Sequence, residues 1–424
     1  MKTRNLFKYL LSIVLLIILL GCSKPENLEL PMPQLTEHQA VNTLAPVIPS
    51  TFPLTITPSN EDIIPICNGS GRHILVSNDF GISGTIIYQN DDNTGLYSMG
   101  GIPLIQSQLL SDETQNHVFG FSPDGQWLVY SPFDTSSGVK YKALKVILMS
   151  AEGKKIERVL STKEFEAELQ TDNQLVGISG YYYWINQQMI YITLLSQNPD
   201  IHKSGTIDEN SKILDPFAGE WNNQFLDLPG RFLSGEVGIS PDKSRALYQE
   251  TGLSLWDYDR KIRIWHDESL ISPFRALIKW SSDSSEVAYA NLYNDSDNQT
   301  VLLITRDGEI IPIINKTFPL PGFKILDISW SPNGQYLALV GRGGEKIELL
   351  IYNKILRKYV SQCPIASAKG VLPPLIWSPD GSYIAISDID SPILITSVMD
   401  GKVYQFAQHG IVLGWSDKFP VILP

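Results

Sequence analysis

Short β-type runs dominate the chain from about residue 70 to its end. Apolar runs of four to eight residues, many with a polar residue at every second position, are separated by turn residues such as Gly, Pro, Asp and Asn. This pattern predicts strands with one buried face. No segment beyond the N-terminus has a convincing long helical period, although residues 163–170 could form a short helical turn in a loop.

A turn motif recurs between these runs. An apolar or aromatic residue is followed by Ser-Pro-Asp-Gly or a variant of it, and then by a new β-type run. The seven copies begin at Phe121, Trp184, Ile239, Trp280, Trp330, Trp377 and Trp415, of which those at Trp184 and Trp415 are the weakest. Their mean spacing of 49 residues is typical of propeller blades.

The motif has a local physical meaning. Ser, Pro, Asp or Asn, and Gly in this order suit a type I turn that is closed by a left-handed Gly, so each copy predicts a hairpin. Asp307-Gly308 and Asp400-Gly401 lie between further apolar runs and predict a second hairpin in their units. Each unit is therefore expected to be a four-stranded antiparallel meander.

The Trp/Phe-Ser-Pro-Asp-Gly copies resemble the WD-repeat-like propeller repeats of the TolB family. The likeness covers roughly residues 68–424 and implies an all-β fold, a β-propeller of four-stranded antiparallel blades. TolB carries an additional N-terminal globular domain, which the short segment before the repeats cannot supply, so the Tol–Pal role does not carry over. The motif is specific for fold and poorly specific for function.

Closure of the ring decides the number of blades. Residues 411–416 are expected to supply an inner strand to a blade that also contains residues 83–89 and 95–98. Sharing one blade between both chain ends gives seven blades. If residues 74–77 formed the inner strand of a separate first blade, the count would move to eight, and six blades are the remaining alternative.

The N-terminus predicts export. Lys2, Arg4 and Lys8 precede an uncharged run over residues 9–21, which as a helix would reach only about 20 Å and is too short to span a bilayer. The run reads as a signal peptide, and its Leu-Leu-Gly-Cys ending resembles the lipobox of bacterial lipoproteins, which implies lipidation of Cys22. The alternative is an uncleaved anchor with an incidental Cys. Both place the remainder outside the cytoplasm, in the bacterial cell envelope.

Three segments follow from this interpretation. Residues 1–21 form the signal peptide, residues 22–60 form a tether with seven prolines, and residues 61–424 form the TolB-like propeller. Cys67 and Cys363 are then the remaining thiols, and outside the cytoplasm they could form a disulfide. The alternative is two unpaired, buried cysteines.

Composition and motifs give little support for catalysis. The net charge is −12 without long basic runs, which argues against nucleic acid as a partner. Gly-x-Ser-x-Gly is absent, and the six His residues never fall at zinc-ligand spacing, so no metal or cofactor is expected. Two Asn/Asp-rich stretches, residues 90–93 and 294–298, read as solvated turns rather than calcium sites. The repeated acids Asp124, Asp242, Asp283 and Asp380 read as turn-forming residues.

A second recurrence places an aromatic residue beside a cation in the loop that enters a blade. Together these pairs predict a binding rim around the central channel, suited to a peptide, a glycan or a carboxylate. The alternative is that the Phe side chains pack between blades and the cations are solvated. The rim residues are Arg231, Phe232, Phe274, Arg275, Phe323 and Lys324.

The sequence therefore predicts a lipid-anchored, monomeric, extracytoplasmic propeller that binds an envelope protein, peptide or glycan without intrinsic catalysis. A propeller enzyme, such as a lyase or glycan hydrolase with its active site at the channel, is the competing class. A purely structural envelope protein is the third.

Overall fold

The computed structural model describes the repeat region of the chain in segments. Two compact units are distinguished, Met1–Ile56 and Thr57–Pro424, and all described residues belong to the second. The described segments are residues 74–75, 81–90, 95–101, 104–110, 115–122, 124–133, 143–161, 175–186, 189–196, 211–221, 237–249, 252–270, 276–292, 300–314, 323–367, 374–388, 391–398 and 401–419.

Strands make up the regular structure of these segments. In chain order they are β1 (Ile74–Leu75), β2 (Ile82–Gln89), β3 (Leu96–Gly101), β4 (Ile105–Leu110), β5 (Gln115–Phe121), β6 (Trp127–Phe133), β7 (Ala143–Ser150), β8 (Lys155–Ser161), β9 (Leu175–Asn186), β10 (Met189–Ser196), β11 (Ser211–Asp215), β12 (Glu220–Trp221), β13 (Val237–Ile239), β14 (Arg245–Gln249), β15 (Leu253–Asp257), β16 (Ile262–Asp267), β17 (Ala276–Trp280), β18 (Glu286–Asn291), β19 (Val301–Thr305), β20 (Ile310–Ile314), β21 (Lys324–Trp330), β22 (Tyr336–Gly343), β23 (Lys346–Asn353), β24 (Lys358–Ser367), β25 (Ile376–Trp377), β26 (Tyr383–Asp388), β27 (Ser391–Ser397), β28 (Val403–His409) and β29 (Ile411–Ser416).

These strands form seven sheets, which we call blades and number in chain order. Blade 1 has the order β29-β2-β3-β4, and blades 2 to 6 are the successive meanders β5–β8, β9–β12, β13–β16, β17–β20 and β21–β24. Blade 7 is the meander β25–β28 with β1 added outside β28. Apart from the β1–β28 pairing, all recorded pairs are antiparallel, as expected for a propeller of meanders.

The inner strands close a ring. The first strand of each blade lies beside the first strand of the next in the series β29, β5, β9, β13, β17 and β21, and β25 contacts β29. The last link, from β21 to β25, is a hydrogen bond between Trp377 Nε1 and the Ser329 carbonyl. The fold of the described chain is therefore the β-propeller that the turn motif predicts.

Blade 1 is built from both ends of the chain, as the sequence predicts. Strand β29 pairs with β2 through five registered positions, from Thr85 opposite Ser416 to Gln89 opposite Ile411. The alternative role for residues 74–77, as the inner strand of a separate blade, is wrong for Ile74 and Leu75, and residues 76–77 lie outside the described residues. Strand β1 instead pairs in parallel with the outermost strand of blade 7, Ile74 opposite Tyr404.

The predicted turn geometry is present, including at positions without Gly. In the full Ser-Pro-Asp/Asn-Gly copies, Gly125, Gly334 and Gly381 have φ near +70°. At the same turn position Lys243 and Ser284 have φ of 63° and 59°. The turn is therefore formed even where a non-Gly residue must adopt the left-handed conformation, because Ser and Asp side chains close it.

The core lies between blades rather than in one centre. Separate clusters of buried side chains join blades 4 and 5, 5 and 6, 6 and 7, 7 and 1, and 1 and 2. Tyr359 ties blade 6 to blade 5, because its hydroxyl donates to the Ile313 carbonyl at 2.8 Å. At these five junctions the apolar face of a sheet is covered by its neighbour, which a single four-stranded sheet cannot achieve alone.

Two faces of the ring are distinguished by their connections. The turns between first and second strands and between third and fourth strands lie on one face, which we call the turn face. The connections between second and third strands and from one blade to the next lie on the other, the loop face. This follows from the antiparallel order within every blade.

Candidate functional site

The turn acids join neighbouring blades. Asp283 Oδ1 accepts hydrogen bonds within its own turn, from Ser281 Oγ at 2.6 Å and from the Ser285 backbone nitrogen at 3.1 Å. Its second oxygen, Oδ2, accepts from Lys354 Nζ of blade 6 at 2.8 Å. The predicted turn-forming role is therefore present, and an ion pair to the next blade is added to it.

The same arrangement occurs one blade earlier. Asp242 Oδ1 accepts from Ser240 Oγ at 2.7 Å, and its Oδ2 faces Arg306 Nη1 of blade 5 at 2.8 Å. Each cation lies in the turn between the third and fourth strands of the following blade. These pairs cannot be read from the sequence, because the partners are 64 and 71 residues apart and meet only when the ring forms.

These contacts set the ionisation of the acids. Partial desolvation raises the pKa of Asp283, but hydrogen bonds from Lys354, Ser281 and Ser285 outweigh it and hold the pKa well below its ordinary value. The pKa of Asp242 is lowered in the same way against desolvation, by its turn hydrogen bonds and by Arg306. Such carboxylates are charged at neutral pH and poorly suited to donate or accept a proton there.

Two further ion pairs contain a buried carboxylate, and in the first of them the cation is buried as well. Arg245 Nη2 lies 3.1 Å from Asp257 Oδ2 within blade 4, and both side chains are almost inaccessible. Glu286, a buried residue of blade 5, pairs with Arg357 of blade 6 at 2.5 Å between Oε1 and Nη2. In each pair the cation compensates a buried carboxylate, and removal of the cation alone would leave that charge without a partner.

Tryptophans tie the inner strands together. Trp280 Nε1 donates to the Gly238 carbonyl at 2.7 Å, and Trp330 Nε1 donates to the Lys279 carbonyl at 2.8 Å. Each acceptor lies on the inner strand of the preceding blade. The aromatic residue of the motif therefore has a fixed structural role in these blades, and it does not present its polar atom to a ligand.

One arrangement has the residue types of a hydrolase triad. Ser254 Oγ lies 2.8 Å from His266 Nδ1, and His266 Nε2 lies 3.9 Å from Glu268 Oε1. Ser254 and His266 are directly opposite each other on β15 and β16, and Ser254 is fully buried. A nucleophile must be reachable by substrate, so this pair reads as a cross-strand contact.

The predicted binding rim is only partly within the described residues. Arg231, Phe232, Phe274 and Arg275 lie outside them, so their role stays a prediction. Phe323 is not a rim residue. Its side chain is 3% exposed and belongs to the core cluster between blades 5 and 6, and its ring lies where a Cβ on Gly341 would be. The alternative in which Phe packs between blades is correct for this residue.

Lys324 does lie on the loop face, at the start of the inner strand of blade 6. It is half-buried and stands directly opposite Arg342 on β22. Arg342 could not be found from sequence, because the recurrence of aromatic and cation does not give the strand register.

An acid, Asp327, lies on the same side of the blade-6 sheet as the two cations. Strand β21 has an irregularity between Ile325 and Asp327, after which Asp327 stands opposite Val340. Asp327 Oδ2 accepts from the Leu375 backbone nitrogen at 2.9 Å, at the entry to blade 7. We define the blade-6 rim as Lys324, Arg342 and Asp327. Its groups could bind a carboxylate or another polar group that has both donors and acceptors.

One of the three cysteines lies within the described residues. Cys363 is buried between blades 6 and 7 and is disulfide-bonded. Cys22 and Cys67 lie outside the described residues, so the Cys67–Cys363 pairing and the lipidation of Cys22 stay predictions.

Among the described residues there is no group of three or more His, Cys, Asp or Glu that could hold a metal ion. That part of the chain also contains no helix long and apolar enough to cross a membrane.

Comparisons with known proteins return propellers with limited similarity. No protein-family model matches the chain. The chain is 34% identical over 88 residues to the COMPASS component SWD3 of Saccharomyces cerevisiae, which is 21% of this chain and 26% of that protein. The match thus spans about a quarter of the length of this curated relative.

Two solved structures are similar to the chain. The β-propeller domain of Cps50 (Swd1) from Myceliophteria thermophila has 12% identity and a TM-score of 0.42, with 75% of this chain and 97% of that chain covered. TolB from Acinetobacter baumannii has 14% identity and a TM-score of 0.39, with 67% and 64% covered. The assignment of the fold rests on the strand order and the ring of inner strands.

Proposed function

We propose that this protein is a membrane-anchored, extracytoplasmic propeller that binds a protein or peptide partner and performs no catalysis. The proposal rests on one observation: side chains of the repeated motif bind other parts of the ring. In the described part of the motif, the side chains of two tryptophans and two aspartates bind neighbouring strands and blades. These are Trp280, Trp330, Asp242 and Asp283. The repeat thus builds a rigid scaffold, and recognition falls to residues outside it.

The blade-6 rim is the binding site favoured by the described residues. It holds two cations, Lys324 and Arg342, beside the acid Asp327 on the loop face of an acidic protein. Clustered charges on a surface steer a partner of opposite sign and fix its register. An acidic peptide segment or a C-terminal carboxylate fits this chemistry.

Anchoring rests on the N-terminal sequence. The uncharged run over residues 9–21 and the lipobox-like ending at Cys22 support a lipid anchor. Since the chain has three cysteines, a lipid on Cys22 leaves Cys67 as the partner of the disulfide on Cys363. Peptide mapping without reduction is expected to yield a Cys67–Cys363 peptide. A Cys22–Cys363 peptide would contradict the lipid anchor.

A cross-linking capture from intact envelopes tests the binding function. The double variant Lys324→Ala/Arg342→Ala is expected to lose the cross-linked partner, with an unchanged melting temperature. The matched control is Lys154→Ala/Lys155→Ala, which removes two adjacent exposed cations from the turn face of blade 2. Equal capture by both double variants would refute the blade-6 rim as the site.

A further inference from the structure

Two adjacent apolar side chains are exposed on the turn face. Ile355 and Leu356 are 69% and 57% exposed at the turn between β23 and β24. Single exposed apolar residues are ordinary on soluble proteins, and here two of them are adjacent at one turn, where they form a small apolar patch. We call residues 354–358 the blade-6 tip.

The backbone of the tip is held from several sides. The Leu356 backbone nitrogen donates to Asn353 Oδ1 at 2.9 Å, and that of Lys354 donates to the Gln335 carbonyl at 2.9 Å. Arg357 has φ of 53° and completes the turn. A turn fixed in this way presents its apolar side chains at little conformational cost on binding.

The turn itself does not require apolar residues. The equivalent turn of blade 4 has the same bond, from the Arg260 backbone nitrogen to Asp257 Oδ1 at 2.9 Å, and Lys261 has φ of 54°. Asp259 and Arg260 occupy the two tip positions there, where blade 6 has Ile355 and Leu356. The same backbone thus accepts charged residues. Of these two turns, that of blade 6 carries the apolar pair, and the turn geometry does not require it.

Two of the three cations of the tip form ion pairs within the ring, and Lys358 is the third cation. Lys354 binds Asp283 at 2.8 Å, and Arg357 binds Glu286 at 2.5 Å. Their charges are therefore largely compensated within the ring. The tip is suited to an apolar or interfacial environment more than to a strongly anionic one.

The strand order links the tip to the anchored end of the chain. Strand β28 begins at the turn face, since it follows the turn between the third and fourth strands of blade 7, and β1 runs parallel to it. The N-terminal end of β1 therefore lies at the turn face, on the blade next to the tip. The lipid anchor of the proposed function lies N-terminal to this strand in the chain.

From these observations we propose that the turn face of blades 6 and 7 faces the membrane, and that Ile355 and Leu356 insert into the lipid interface. The inference rests on the proposed function for its anchor. It leaves the loop face, with the blade-6 rim, directed away from the bilayer towards a partner. An uncharged contact of this kind depends little on salt, because screening acts on charges.

The experiment uses the full chain reconstituted in phosphatidylcholine vesicles. Ile355→Cys is labelled with an environment-sensitive NBD fluorophore, and Val159→Cys is the matched control. Val159 is 65% exposed but lies within β8, the outer strand of blade 2. The wild-type chain carried through the same labelling reports any reaction at native cysteines.

We expect the NBD emission at residue 355 to rise severalfold and to shift to the blue when vesicles are present. Spin-labelled lipid should quench this emission, high salt should leave it unchanged, and the emission at residue 159 should change little.

Flotation of the vesicles tests the anchor separately. A chain that floats while the label at 355 stays silent, or responds as at 159, overturns the tip proposal alone. A chain that does not float overturns the anchor and the tip proposal together. A rise that needs no vesicles and grows with protein concentration assigns the tip to a second copy of the chain and also overturns the proposal.

Discussion

Removal of Arg357 is expected to leave the buried carboxylate of Glu286 without its cation. Glu286 lies on the second strand of blade 5 with its side chain 6% exposed, and Arg357 approaches it from the turn of blade 6 at 2.5 Å. In Arg357→Met the apolar stem of the side chain is largely kept while the guanidinium is lost. Since residue 357 remains a non-Gly residue, the strain of its left-handed backbone does not change.

The expected cost follows from the burial of the two partners. Breaking a buried ion pair by removing one partner costs about 3–5 kcal/mol, because an uncompensated charge remains. The Arg357 side chain is 42% exposed, so water can partly replace it. We therefore expect the free energy of unfolding to fall by about 2–3 kcal/mol, below the range for fully buried pairs.

Urea-induced unfolding, followed by tryptophan fluorescence, measures this effect. The matched control Lys358→Met removes the neighbouring cation and should change the free energy of unfolding by less than about 0.5 kcal/mol. The double variant Glu286→Gln/Arg357→Met removes both charges and should return to within about 1 kcal/mol of the wild type. If Arg357→Met is no worse than the control, or if the double variant does not recover, the buried pair does not join blades 5 and 6 as argued.

Three further perturbations test the ring. Trp330→Phe leaves the Lys279 carbonyl without its indole donor and should lower the free energy of unfolding by about 1–3 kcal/mol, measured by urea denaturation; an unchanged midpoint would contradict the inter-strand role. The lowered pKa values of Asp242 and Asp283 contribute stability that is complete above the ordinary value of 3.8 and is lost as the pH falls through the lowered values. The double Asp→Asn variant should therefore show a shallower loss of stability below about pH 4. Deletion of residues 411–424 should abolish cooperative thermal unfolding, because β29 is the inner strand of blade 1; an equally sharp transition would refute the shared blade.

The sequence predicted what depends on local chemistry. The strand Val301–Thr305 and the left-handed Gly381 were readable because turn residues and apolar runs act within a few positions. Phe323 was assigned to the rim wrongly, since a repeated aromatic does not reveal the direction in which it packs. The pairing of Lys324 with Arg342 requires the strand register, which depends on the bulge between Ile325 and Asp327.

The acidic composition has a structural cause that bears on function. Asp242 and Asp283 each use one oxygen to close a turn and the other to bind a cation of the next blade. A carboxylate held on both oxygens, with a lowered pKa, is a poor proton donor or acceptor at neutral pH. The charges of Asp242 and Asp283 are therefore compensated within the ring. Under the proposed function, recognition falls to side chains outside the repeated motif, and Lys324 and Arg342 on the loop face are the residues proposed for it.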